Sequence, residues 1–77
     1  MINVLIVDDS KVVQEFLAHL LSSDPDIRVV GVASSGYEAI ELVRMKKPDV
    51  ITMDIHMPGM DGYEATRTIM ETYPTPI

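Results

Sequence analysis

The chain has 77 residues, room for at most one small domain, and its 47% apolar and 23% charged content excludes a disordered polar chain. Twelve acidic and six basic side chains leave a net charge of −6, with no basic run longer than Lys46-Lys47, so a nucleic-acid backbone finds no cationic surface. The absence of cysteine excludes disulfides, thiolate metal sites and cysteine nucleophiles, and the apolar run ending at Val7 is too short for a signal peptide or a membrane span.

Val4-Leu5-Ile6-Val7 runs without polar alternation, as in a strand covered on both faces. Asp8-Asp9-Ser10 stops it, and Asp9 or Ser10 is placed to cap a helix. Val12, Val13, Phe16, Leu17, Leu20 and Leu21 recur with helical period and predict a wide apolar stripe over roughly three turns. Ser23-Asp24-Pro25-Asp26 reads as the closing loop. Ile27 to Ala33, rich in β-branched residues, predicts a second strand, and Ser34-Ser35-Gly36 a loop with capping hydroxyls. Ala39, Ile40 and Val43 mark a second helix; Lys46-Lys47 suit its carbonyl end and Pro48 blocks continuation. Val50-Ile51-Thr52-Met53 predicts the third strand, ended by Asp54. A loop with a Pro58-Gly59 turn follows, and Asp61 can cap a third helix whose inner face would include Ala65, Ile69, Met70 and Tyr73. Pro74 ends that helix, and Thr75-Pro76-Ile77 reads as the approach to a fourth strand.

The order β-α-β-α-β-α implies parallel strands with right-handed crossovers. The expected architecture is a flavodoxin-like, doubly wound α/β sheet in which strands one and three are neighbours. All strand carboxyl ends then share one edge, so Asp8, Asp9 and Asp54 converge where such folds bind ligands. Three close anions must be relieved by a raised pKa or a bound cation. An all-oxygen set suits a hard ion such as Mg²⁺, and a carboxylate at that spot can attack an incoming phosphoryl group to give an aspartyl phosphate. Taken singly, these acids read as caps and turns; it is their combination across two intervening helices that makes a site.

Val4-Leu5-Ile6-Val7-Asp8-Asp9-Ser10, Lys47-Pro48-Asp49-Val50 and Met53-Asp54-Ile55-His56-Met57-Pro58-Gly59-Met60-Asp61-Gly62 resemble the response-regulator receiver family of two-component signalling. The resemblance implies that Asp54 accepts phosphate from a histidine kinase. It also implies that Asp9 and Asp54 ligate Mg²⁺ directly, that Asp8 assists through water, and that the third protein ligand is the His56 carbonyl. Ser22-Ser23-Asp24-Pro25-Asp26 followed by Val29-Val30-Gly31, then Thr66-Arg67-Thr68-Ile69-Met70 and Pro74-Thr75-Pro76-Ile77, are similar to the receivers of chemotaxis protein-glutamate methylesterases. In that group the receiver precedes and restrains a carboxy-terminal esterase. Residues 1–77 are accordingly read as the amino-terminal part of a single cytoplasmic receiver domain, a phosphoacceptor rather than a turnover enzyme. The family's Ser/Thr after strand four and Lys after strand five have no counterpart here.

The rings of His56 and His19 are read as solvated. Met45, Met53, Met57, Met60 and Met70 are assigned to core and loop packing, and Asp24, Asp26 and Asp49 to solubility and turns. Two other functions compete. An aspartate-nucleophile phosphatase needs an Asp-x-Asp spacing that the adjacent Asp8-Asp9 does not match. A non-catalytic assembly module would self-associate through the unpaired edge of strand three and the apolar surface around it.

Overall fold

A computed structural model describes residues 1–77. Its elements are β1 (Ile2–Val7), α1 (Lys11–Ser22), β2 (Ile27–Ala33), α2 (Gly36–Lys46), β3 (Val50–Met53) and α3 (Gly62–Thr72). The sheet order is β2-β1-β3 with both pairings parallel, so the expected neighbourhood of strands one and three is present. β1 starts at Ile2, earlier than its apolar run suggests, because Ile2 and Asn3 already pair with Ile27 and Arg28. Between Val4 and Leu5 the register with β2 shifts, since Val4 faces Val29 while Leu5 faces Gly31.

Leu5, Val7, Ala33 and Ile51 bury one face of the sheet against Ala39 and Val43 of α2, Ile69 of α3 and the loop residue Met57. Val4 and Ile6 alternate with these along β1 and are equally buried, on the side where α1 leans on β1 and β2. The two faces are therefore unequally covered, by two helices on one side and one on the other.

That inequality overturns part of the reading of α1. Val12, Phe16 and Leu20 are 76%, 63% and 54% exposed, whereas Leu17 and Leu21 are half-buried and the polar Gln14 is buried. The arc holding residues 14, 17 and 21 faces the sheet, and the row 12, 16, 20 lies on a flank with no helix beside it. In α3 the inward residues are Gly62, Ala65 and Ile69; Met70 and Tyr73, expected on the same face, are exposed. Among the methionines, Met57 is buried and Met53 and Met60 half-buried, but Met45 and Met70 stand in solvent.

Two loop segments do more than the sequence suggests. Asp49, assigned to solubility, accepts the Asn3 N–H at 2.7 Å through its carboxylate and donates its own N–H to the Asn3 carbonyl at 2.7 Å. It thus ties the start of β3 to the start of β1. After α3, the Pro76 carbonyl accepts the Ile51 N–H at 2.9 Å, so the outer edge of β3 is partly taken rather than wholly unpaired.

Candidate functional site

Val7 pairs with Met53, so the residues that follow leave the sheet side by side. The Asp54 N–H donates to the Val7 carbonyl at 2.9 Å and the Asp8 N–H to the Ala33 carbonyl at 3.0 Å, which fixes both backbones at the sheet edge. Carboxylate oxygens of Asp8, Asp9 and Asp54 lie within 4.8 Å of one another. Asp9 is exposed, and Asp8 and Asp54 are half-buried.

One oxygen of each half-buried acid is already engaged. Asp8 Oδ1 accepts the Ser10 N–H at 2.9 Å, and Asp54 Oδ1 accepts the His56 N–H at 3.0 Å. Ser10, not Asp9, caps α1 by accepting the Val13 N–H, which leaves the Asp9 carboxylate for other work. Beneath the acids lies a cleft of about 110 Å³ lined by Val7, Asp8, Leu17, Thr52, Met53 and Asp54. The Thr52 hydroxyl on its wall is buried and has no hydrogen-bond partner. A larger hollow of about 530 Å³ beside α3 is walled by Asp61, Tyr63, Glu64 and Arg67, a shallow surface away from the three acids.

No basic side chain offsets the cluster. The one salt bridge joins Arg44 to Glu41 along α2, where the guanidinium hydrogen bond holds the Glu41 carboxyl below the usual carboxylate range. The compensating charge must come from a cation or from solvent. Around an ion with oxygen bonds of about 2.0–2.1 Å, opposite ligands stand roughly 4 Å apart, so the cluster fits Mg²⁺ with at most a small closure. The donor set, all oxygen and part-open to solvent, is also that of an ion that keeps several waters.

The other candidates sort clearly. Asp61 is not in the cluster; it caps α3, accepting the Glu64 N–H at 2.9 Å. His56 and His19 are exposed, as read from the sequence. Gly62, at the first turn of α3, lies against the backbone of Asp54 and Ile55. Gln14 was not legible as a site residue. Its amide donates both to the Asp8 carbonyl and to Ser34 Oγ, contacts with partners 6 and 20 residues away that no local pattern announces.

Residues 4–77 match the family model described as the response regulator receiver domain. A protein-glutamate methylesterase/protein-glutamine glutaminase of Nitrosospira multiformis is 64% identical over 77 residues, which are 100% of this chain and 22% of that protein. The crystal structure of the response regulator domain of Thermotoga maritima CheB superposes with a TM-score of 0.95 at 49% identity, covering 97% of this chain and 56% of that one. A CheX-CheY-BeF3-Mg complex from Borrelia burgdorferi gives 0.86 at 35% identity, covering 94% and 55%. The chain thus spans about a fifth of the curated relative it matches and just over half of the solved receiver.

Proposed function

The chain belongs to the response-regulator receiver family, and from that premise we propose that it takes a phosphoryl group onto Asp54 from a histidine kinase in a Mg²⁺-dependent reaction. The observation that carries this reading is the meeting of Asp8, Asp9 and Asp54 within 4.8 Å with no basic residue among them. Asp9 and Asp54 would hold the ion with Asp8 assisting, and the His56 carbonyl would complete the protein ligands. When bound, the cation offsets the charge of the phosphoryl oxygens.

The rest is done by the chain's own groups. The His56 N–H holds Asp54 Oδ1, so Oδ2 is the oxygen free to attack. A bond forms from that oxygen to phosphorus as the bond from phosphorus to the kinase's imidazole nitrogen breaks. The departing imidazole keeps the electron pair and becomes neutral by taking up one proton from solvent. Asp54 is only half-buried, and Asp9 beside it is exposed.

The relatives' printed activity and the chain's share of their length support a wider proposal: phosphorylation here regulates a carboxy-terminal protein-glutamate methylesterase domain in the cytoplasm. No helix of the chain is long and apolar enough to cross a membrane. The test is intact-mass spectrometry after treatment with a small acyl phosphate and Mg²⁺. One phosphoryl adduct is expected, absent when Mg²⁺ is chelated before treatment and absent in Asp54→Asn; an adduct that persists in Asp54→Asn overturns the assignment.

A second reading, self-association of the chain, is favoured by one observation. Val12, Phe16 and Leu20 form an exposed apolar row on the less covered side of the sheet.

A further inference from the structure

We propose that Gln14 is a positioning residue for the acidic pocket; this rests on reading the pocket as a phosphoacceptor and cation site. Gln14 is only 9% exposed, on a helix whose apolar neighbours Val12 and Phe16 are mostly in solvent. A long polar side chain buried in preference to those residues needs a compensating set of hydrogen bonds. It has one. Both donor positions of the amide are used, on the Asp8 carbonyl and on Ser34 Oγ at 3.0 Å.

The ladder between β1 and β2 explains why the Asp8 carbonyl requires this donor. Val7 pairs with Ala33, and the Asp8 N–H reaches the Ala33 carbonyl. In a continuing parallel ladder the Asp8 carbonyl would next receive the N–H of residue 35. Ser35 has turned away by then to cap α2, accepting the Glu38 N–H at 3.1 Å. The Gln14 amide takes over as donor and, through Ser34, joins the end of β1, α1 and the β2–α2 loop.

The consequence falls on Asp9. The Asp8 carbonyl, the Asp9 nitrogen and the Asp9 Cα belong to one planar peptide unit, so fixing the first places the Cα from which the Asp9 side chain leaves. Asp9 is the exposed member of the cluster, and its carboxylate has no hydrogen-bond partner within the chain to hold it. Gln14 therefore anchors the backbone that carries the most exposed of the three carboxylates within reach of a shared cation.

The probe is Mn²⁺, a hard ion accepted by the same oxygen donors, measured as free ion by electron paramagnetic resonance. Gln14→Met keeps length and volume while removing both donors. At a temperature where circular dichroism shows both proteins folded, the variant is expected to bind Mn²⁺ about tenfold more weakly. A lower melting temperature with unchanged Mn²⁺ affinity would mean a purely structural tie and overturn the proposal. If Gln14→Met does not fold, Ser34→Ala reads the same tether from its exposed end: weaker Mn²⁺ binding supports it and unchanged binding overturns it. Asp9→Asn separates the two levels. Mn²⁺ affinity unmoved by that change overturns the pocket reading itself, and with it the role of Gln14.

Discussion

α3 meets the turn after Asp54 at Gly62, where no side chain fits. A Cβ there would lie 2.2 Å from the Asp54 carbonyl oxygen and 2.5 Å from the Ile55 Cα. Both are backbone atoms that cannot swing aside, so Gly62→Ala must move the helix or the turn. The expected cost is about 1–3 kcal/mol of stability, with a fall in the initial rate of Asp54 phosphorylation at temperatures where the protein remains folded. Urea unfolding and a timed acyl-phosphate assay measure the two, and a variant unchanged in both would show that the contact relaxes freely. In the sequence Gly62 stands out only as the end of the segment Met53 to Gly62, and nothing local could say which atoms it accommodates. Asp49 and Gln14 escaped for the same reason: their partners, Asn3 and Ser34, are 46 and 20 residues distant. Asp8, Asp9 and Asp54 were legible because strand order alone brings them together.

At the level of elements, the sequence located every strand and helix, since apolar runs and helical periods mark each and caps mark their starts. Asp61 caps α3 with a 2.9 Å bond to the Glu64 N–H, and its charge sits at the helix's positive end. Asp61→Ala is expected to lower stability by about 1 kcal/mol, read from the denaturant midpoint, while Mg²⁺-dependent phosphorylation at full folding stays intact. Loss of phosphorylation without loss of stability would instead place Asp61 in the chemistry. What the periodicity did not reveal was rotation. A stripe wider than one contact face says that a helix packs, not which half of the stripe meets the sheet. In α3 that half is Ala65 and Ile69 without Met70 or Tyr73, and in α1 the sheet takes Leu17 and Leu21 and leaves Phe16 outside.

For the molecule as a whole, one sheet face is sealed by α2 and α3 and the other carries α1 alone beside an apolar row in solvent. An exposed apolar row of this kind is a candidate contact surface. Phe16→Lys is expected to leave the unfolding midpoint within about 0.5 kcal/mol and to reduce concentration-dependent association in sedimentation velocity. Equal sedimentation of parent and variant across concentrations would remove α1 as the adhesive surface. The same view of the whole chain gives β3 its meaning. This strand has four residues and is held to β1 at both tips, by Asp49 on Asn3 and by the Asp54 N–H on Val7. Were the strand to slide forward by a single step, Met53 would occupy the place of Asp54 and every side chain behind it would change sides. The two end ties thus act as a ruler: they set which residue of the chain leaves β3 beside Asp8 and Asp9, the position proposed for the phosphoacceptor.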